Sequence, residues 1–582
     1  MKRARRGAAR ASRGETAPPA HATRSTLTGR DVAIFAGLTF LVRGLFALDR
    51  GFWQDDANIY SLAHDALVSH GLFYALAFPM GSATRVLLGT PSVLAALTGF
   101  PVAALHVFHV AIWLGIGVAA AELVRTLFPD RPLAAFSAGV LTICASSDFL
   151  TTSLVAAEYD LAVLGFVLFL VGALRYLLGA PWCLLAGAIA GILVSVYSVD
   201  VAAAPLALAP VLFAIAPGTR RRRLVLFASS GVAILPYAIM FTRFMLSPVS
   251  YAAAASLHLE PSRYTIRAAI LLLNNVLPWQ WPLDRPEFGA PPLRVVPAIL
   301  WVAVASVCLL LYVARARQLA HVSPRVRAGR RALASLGVLV AMGAASNVAY
   351  ASVHFSEIFY RTHLLSRVFV SAGLGVAVDT LIRGRRPLVG WALAAVFVGF
   401  GAAGAVERQD YFLSSWRDHR RELVSLLEAV PSVRAGASLV LVMPDDPGWH
   451  ATGADYLARA WIRILYDDTP GLSERTYLWT PGGLSGCKVE ESGLRCWMDA
   501  EHGCIGAGTC TGHLVRYEDL VLAAFHPLEG RYRLVLSGDP DGPVLPSSAG
   551  YAPERLIGPP RPIPWRLLPG PVLARLLPAF RD

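Results

Sequence analysis

The chain has 582 residues, of which 55% are hydrophobic and only 16% are charged, and its mean hydropathy is +0.52. Soluble proteins of this length are much less apolar, so the composition excludes an assembly of soluble domains alone. The net charge of +13 does not indicate nucleic-acid binding, because the basic residues stand in short runs between apolar blocks, as the positive-inside rule describes. These properties predict an integral membrane protein.

The first thirty residues are strongly basic. They carry eight Lys or Arg residues against the single acid Glu15 and show no apolar periodicity. Such a segment is expected to be a disordered cytoplasmic arm, residues 1–30. An organelle transit peptide has a similar composition and is the alternative.

Eleven apolar stretches have roughly the length that a helix needs to cross the hydrocarbon layer. They are residues 32–48, 102–124, 133–147, 155–174, 182–199, 201–216, 224–245, 295–314, 332–352, 368–382 and 387–404. Residues 86–100 are also apolar but contain Gly89 and Pro91, which favours a short re-entrant or interfacial segment. The sequence therefore predicts a polytopic α-helical transmembrane domain over residues 31–404.

The basic clusters fall in alternate loops between these stretches, which sets the predicted orientation. It places the N-terminus in the cytoplasm and everything after residue 405 outside, and the expected location is a bacterial plasma (inner) membrane. Residues 405–558 have the composition of a small α/β domain, with predicted strands at 437–443, 520–525 and 532–536 and a helix at 454–465. Residues 559–582 form a Pro-rich tail.

Four of the seven cysteines lie close together in this exterior domain: Cys487, Cys496, Cys504 and Cys510. An oxidising compartment favours two disulfides over a zinc site, and no CxxC pair is present. Pairing Cys487 with Cys496 and Cys504 with Cys510 is the simplest of three possible connectivities. Zinc binding and the other two connectivities stay open.

Acidic residues at the outer ends of the predicted spans are the first candidates for chemistry. Asp55 and Asp56 follow the first span, and Asp148, Glu158 and Asp160 flank the turn between the third and fourth spans. A charge at membrane depth costs about 2.5–3.5 kcal/mol at a span centre by insertion scales, so such residues are functional candidates. The competing explanations are that Asp56 is a helix N-cap and that the other three are interfacial loop charges.

Basic residues form a second group of candidates. Arg361, His363 and Arg367 stand in the loop before the tenth span, and Arg43 lies inside the first. Arginine suits phosphate because its planar guanidinium can bond two oxygens at once. Snorkelling to the interface is the alternative for the loop residues, and Arg43 could instead pair with one of the acids.

The N-terminal two-thirds resembles the GT-C glycosyltransferases, in particular bacterial protein O-mannosyltransferases and aminoarabinose transferases. The resemblance rests on these residues: Arg43, Asp55, Asp56, Tyr60, Ala63, Gly71, Thr90, Pro91, Ser92, Glu158 and Asp160. Two features differ, because the usual acidic pair is Asp-Glu and the family's Pro-Pro-Leu element is reduced to Pro91. The resemblance implies inverting transfer of a sugar from a polyprenyl-phosphate lipid to an extracytoplasmic acceptor, with a first-loop acid at the reaction centre.

On this reading Asp55 is the catalytic base, assisted by Asp56, and Asp148, Glu158 and Asp160 position the acceptor or a divalent metal such as Mg²⁺ or Mn²⁺. Arg361, His363, Arg367 and Arg43 bind the donor phosphate. No cofactor is required with certainty, and the expected partners are the lipid-linked sugar, the acceptor and membrane lipids. Two other classes stay open: a transporter or flippase, and a non-catalytic scaffold that binds lipid-linked glycan.

Overall fold

The structure is a computed structural model of the whole chain. It describes residues 27–52, 55–77, 86–145, 154, 156–199, 202–246, 298–322, 329–351, 363–444, 450–466, 469, 471–480, 486–497, 512–539, 545–546 and 550–570. The basic arm over residues 1–26 and the loop over 247–297 lie outside this part.

The chain begins with a helix that changes its winding at Arg43. Helix α1 (Gly29–Thr39) starts at a capping box, in which Thr28 Oγ1 accepts from Asp31 N and Thr28 N donates to Asp31 Oδ2. It continues into a π-helical turn, Phe40–Gly44, and a 3-10 turn, Ala47–Asp49. Together these elements form one apolar segment long enough to cross a membrane.

Three short helices follow and then a helix bundle. The short helices are α2 (Asp55–His70), α3 (Leu72–Ala77) and α4 (Thr90–Ala96). The bundle contains α5 (Pro101–Leu127), α6 (Pro132–Cys144), α7 (Ala156–Leu177), α8 (Trp182–Ser198), α9 (Ala203–Leu206), α10 (Ala209–Ile215), α11 (Arg220–Leu246), α12 (Ala298–Val322), α13 (Arg330–Ala351), α14 (His363–Arg383) and α15 (Pro387–Ala429). The predicted interfacial segment coincides with α4.

Seven of the described helical segments are long and apolar enough to cross a membrane. They start at Gly29, Pro101, Ala157, Arg220, Ala298, Leu365 and Pro387. The other predicted spans fall on α6, α8, α9 with α10, and α13, and the 201–216 stretch is broken into two short helices between residues 206 and 209. A helical architecture with several candidate membrane spans is therefore confirmed, and the count of eleven stays a prediction.

Small residues let the bundle helices approach closely. A Cβ atom on Gly165 of α7 would lie 2.6 Å from the carbonyl oxygen of Gly191 in α8, and one on Gly191 would lie 2.7 Å from that of Gly165. A Cβ on Gly375 of α14 would lie 2.7 Å from Ala134 O in α6. In a membrane, helices associate by such close packing, since burying apolar surface gains little against lipid tails.

Ion pairs join several helix ends on one side of the bundle. The pairs are Asp31 with Arg315, Glu122 with Arg175, and Asp379 with both Arg131 and Arg383. The arginines of these pairs belong to the basic clusters that the positive-inside rule assigns to one side. The structure groups these helix ends at the same end of the bundle. That this end faces the cytoplasm stays a prediction.

At the opposite end, α15 continues past the predicted domain boundary at 404/405 as one unbroken helix of 43 residues. Its last turns pack on a four-stranded sheet of order β2-β1-β6-β7, formed by β1 (Ser438–Val442), β2 (Thr476–Trp479), β6 (Leu520–His526) and β7 (Arg531–Leu534). Helix α16 (Asp455–Leu465) connects the parallel pair β1 and β2. The predicted strands and helix of this domain are present.

A second sheet carries the disulfide. Strands β3 (Cys487–Glu490), β4 (Gly493–Cys496) and β5 (His513–Arg516) are antiparallel, and Cys487 is the register partner of Cys496, to which it is bonded. Cys504 and Cys510 lie outside the described residues. The tail is irregular as predicted up to residue 570, but it packs on the domain, since Trp416 Nε1 donates to Pro569 O (3.1 Å) and Leu568 is fully buried.

Candidate functional site

The first acidic pair lies at the start of α2. Asp55 is the first residue of the helix, and its side chain is not among the described groups. Asp56 lies in the first turn, so the N-cap interpretation is wrong. Its buried carboxylate instead accepts a hydrogen bond from Leu154 N (3.3 Å), just before α7. Asp56 therefore connects the first loop to the segment that carries the second acidic cluster.

Glu158 connects the same region to the segment before α4. Its side chain is 2% exposed, and Oε1 accepts from the backbone N–H of Gly89 at 2.9 Å. Gly89 has φ +90°, a conformation that glycine adopts readily and that turns the chain into α4. Oε2 of Glu158 has no hydrogen-bond partner within the described part of the chain. A buried oxygen in this state is available for a proton, a ligand or a cation.

Asp160 lies two residues further along α7 and is buried against α5. Its Oδ2 is 2.5 Å from Nε2 of His109, and Nε1 of Trp113 is 3.1 Å from the same ring nitrogen. An imidazole nitrogen carries either one proton or one lone pair, so Nε2 can make only one of these two hydrogen bonds. The shorter contact, to Asp160, is the one that it makes. The His109–Asp160 pair is thus a buried imidazole–carboxylate pair in which a proton can be held or moved.

Arg43 closes this network from the π-helical turn. Its guanidinium carbon lies 3.8 Å from the ring centre of Trp113, and Nη2 donates to the carbonyl oxygens of Ile143 and Ala145 at the end of α6. These bonds satisfy carbonyls that a helix end leaves open and place positive charge at the negative end of the helix dipole. Arg43 therefore orients the Trp113–His109–Asp160 network, and binding of the donor phosphate by Arg43 stays a prediction.

Two further buried cations adjoin the network. Arg367 of α14 is near enough to Arg43 to interact with it electrostatically. Arg50, beyond the first span, interacts in the same way with Asp56, and burial lowers the pKa of Arg50 to about 10. That guanidinium therefore stays charged at neutral pH. Arg43 and Arg367 are like charges close together in the interior, and such an arrangement favours the binding of an anionic group.

Some predicted residues cannot be placed. Asp148 and Arg361 lie outside the described residues. His363 is the first residue of α14, and its side chain is not described. Across the described ranges no three His, Cys, Asp or Glu side chains converge as metal ligands. Because the Asp55 side chain and Asp148 are not included in that statement, a divalent metal stays a prediction.

Three polar residues of α5 were not among the candidates chosen from the sequence. His106, His109 and Trp113 lie on one face of the helix at spacings of three and four residues, and the Nε2 atom of His106 is 3.0 Å from Arg50 O. Two histidines inside an apolar span, with helical spacing, are a signal that could have found them.

An aromatic cluster covers the start of α2 from the exterior domain. Phe52 packs on Tyr60 (ring centres 4.9 Å apart) and on Trp461 of α16 (6.1 Å), and Trp461 stacks on Trp416 (6.3 Å). Arg463 Nη1 forms an ion pair with Asp65 of α2 at 2.9 Å. The exterior domain therefore holds the helix that begins with Asp55 and Asp56.

The fold and the site define a polytopic helical membrane protein with a small α/β domain seated on a buried polar cluster at one end of its bundle. No protein-family profile matches the sequence, and no curated protein matches it either.

Two crystal structures of the Archaeoglobus fulgidus oligosaccharyltransferase are similar to the chain. The apo form has 15% sequence identity and a TM-score of 0.35, and the match covers 78% of this chain and 65% of that one. The form tethered with an acceptor peptide containing the NVT sequon has 13% identity and a TM-score of 0.36, and covers 78% and 64%. The chain thus spans slightly less than two thirds of that protein's length, and a TM-score of this size does not establish a shared fold.

Proposed function

We propose that the chain is an inverting glycosyltransferase of the GT-C type, which transfers a sugar from a polyprenyl-phosphate lipid to an extracytoplasmic acceptor in a bacterial inner membrane. The observation that supports it most strongly is the cluster of buried acids and arginines at one end of the bundle. Asp56, Glu158, Asp160, Arg43 and Arg367 are all nearly inaccessible. Burying this much charge is costly, and a lipid-borne phosphate substrate provides a reason for keeping it.

The chemistry of such a transfer needs both kinds of group. A base must remove the proton of the acceptor hydroxyl, and a carboxylate in a partly dry site can do so. The lipid phosphate gains negative charge as it leaves, and preorganised guanidinium groups stabilise that charge. The acids and cations adjoin one another, since Arg43 interacts electrostatically with Asp160 as well as with Arg367.

The proposed roles combine these positions with the roles that the sequence predicts, since the side chains of Asp55 and His363 and all of Arg361 lie outside the described part of the chain. Asp55 takes the proton, and Asp56 holds α2 against the start of α7. The free oxygen of Glu158 and the His109-bound carboxylate of Asp160 position the acceptor or a divalent cation. Arg367, with Arg361 and His363 before it in the chain, binds the phosphate.

The test is a transfer assay with purified protein in vesicles and a panel of radiolabelled polyprenyl-phosphate sugars. We expect label to move from lipid to acceptor, and Asp55→Asn to lower the rate by two to four orders of magnitude, the range that general-base catalysis contributes. Asp65→Asn is the matched control on the same helix, and it should leave the rate nearly unchanged because its ion pair with Arg463 is partly exposed.

Other outcomes point to other classes. Movement of the labelled lipid across the bilayer without transfer would support a flippase. Saturable binding of the lipid with no transfer by any variant would support a non-catalytic scaffold. Full activity of Asp55→Asn would remove the base role from this residue.

A further inference from the structure

The Pro-rich tail reaches back to the start of α5. Trp565 packs on Phe100, the residue before that helix, with ring centres 5.7 Å apart. The guanidinium of Arg566 lies 4.8 Å from the Phe100 ring and 5.7 Å from the Trp565 ring. The last described part of the chain is thus fastened to the outer end of a candidate membrane span.

The length of α5 gives the level of this contact relative to a bilayer. Glu122, which pairs with Arg175, belongs to the polar end of the bundle that carries the basic loops. Phe100 is about 33 Å from Glu122 along the helix axis at a rise of 1.5 Å per residue. The hydrocarbon layer is about 30 Å thick, so Phe100 and the tail beside it stand at the opposite headgroup level.

Apolar side chains at this level face outward. Trp565 is 61% exposed, and Leu94, Leu97 and Phe100 are each between 44% and 54% exposed. With Ile563, at 37%, they form what we call the interfacial patch. The patch is continuous with the candidate span through α4 and the first residue of α5, and Arg566 lies beside it. Indole rings flanked by a cation are enriched where bilayer meets water.

The backbone behind the patch is firmly held. Leu568 is fully buried in the exterior domain, Arg420 Nε donates to Leu568 O (3.2 Å), and Trp416 Nε1 donates to Pro569 O. The exposed Trp565 side chain therefore projects from a fixed support, and an apolar contact made by it would anchor the whole domain.

We infer that the interfacial patch is seated in the outer leaflet, with the rings of Trp565 and Phe100 among lipid glycerol and upper acyl groups and Arg566 at lipid phosphate. This contact fastens the exterior domain to the membrane independently of α15. The occupant is phospholipid, and the inference does not depend on the proposed function.

The test places the photoreactive residue p-benzoylphenylalanine at position 565 of the full chain, in vesicles of phosphatidylethanolamine and phosphatidylglycerol. Position 528 is the matched control, because Leu528, in the β6–β7 turn, is the most exposed large apolar residue among those described in the exterior domain. After illumination we expect phospholipid adducts by mass spectrometry at position 565 and only background at 528. Both variants must elute as monodisperse protein.

A second measurement keeps the inference testable if labelling perturbs the fold. The tryptophan emission lost in Trp565→Phe should be quenched by lipids brominated near the glycerol and much less by aqueous iodide. Equal adducts at both positions, adducts to protein instead of lipid, or quenching by iodide alone would each overturn the inference.

Discussion

Arg43 is a cation buried in a candidate membrane span, where contacts within the protein hold its guanidinium in place. Its guanidinium stacks on Trp113 and donates to two carbonyl oxygens at the end of α6. A π-helical turn, which displaces side chains from the regular helical positions, carries it. Such turns occur often at functional sites, and here the turn brings the cation to the network that contains His109 and Asp160.

We expect Arg43→Met to destabilise the protein by about 1–3 kcal/mol, because the buried Ile143 O and Ala145 O would lose a charged hydrogen-bond donor. The stacking on Trp113 would be lost as well. The midpoint of thermal unfolding in detergent should fall by several degrees. Arg516→Met is the control, since its side chain is 69% exposed in β5. Equal midpoints for the two variants would contradict the structural role of Arg43.

The candidate acids of α7 are visible in the sequence, but their partners are not. Asp160 could be selected because a carboxylate stands inside an apolar run, and so could Glu158. Their partners could not, because His109 and Gly89 lie 51 and 69 residues away in the chain. Only the packing of α5, α7 and the segment before α4 brings these groups together.

Among the elements, α2 matters most to the proposed chemistry, because it begins with both first-loop acids. Its outer surface is held by α16 through Trp461, which is fully buried, and through the ion pair of Asp65 with Arg463. A partly exposed pair contributes at most about 1 kcal/mol, so the aromatic contact provides most of the stabilisation.

We expect Trp461→Ala to cost about 3–5 kcal/mol, the usual range for removing a buried aromatic ring. Amide hydrogen exchange in α2 should accelerate strongly while exchange in α7 stays slow, and Trp461→Phe should restore part of the protection. Tyr456→Ala on the same helix is the control, because Tyr456 is 47% exposed. If α2 exchanged at the wild-type rate in Trp461→Ala, the exterior domain would not be holding that helix.

At the scale of the whole molecule, the two ends of the bundle differ in their charge. One end carries the ion pairs of the basic loops, and the other carries the buried acids, the exterior domain and the disulfide between Cys487 and Cys496. The structure gives this separation of the two ends. The sidedness therefore rests on the positive-inside rule and on the preference of disulfides for oxidising compartments.

Sidedness can be measured by cysteine labelling in intact cells with a membrane-impermeant maleimide. Relative to a Cys183→Ser parent, which measures any labelling of Cys504 and Cys510, we expect Leu528→Cys to add label from outside and Gly329→Cys to add label only after permeabilisation. Both positions are exposed, and a Cβ on Gly329 meets no atom within 4 Å. The reverse pattern would invert the proposed orientation and place the candidate site in the cytoplasm.

The sequence by itself determined the class of protein, the places of its apolar helices and the elements of the exterior domain. Hydropathy, strand patterns and charge runs are local properties, so they can be read from neighbouring residues. The structure adds the junction of the two parts, since α15 is one helix across the predicted boundary at residue 405. A change of composition marks where the surroundings of a helix change, not where the helix ends.

Tertiary structure alone decided what surrounds each candidate residue whose side chain is described. Asp56 accepts a hydrogen bond from Leu154, just before α7, and Asp160 pairs with His109. The tail contacts Phe100 at the start of α5. The physical reason is that these contacts join residues far apart in the chain, and their free energy depends on how helices pack. The predicted membrane topology thus follows from local properties of the sequence, whereas the polar cluster at the outer end of the bundle forms only when the chain folds.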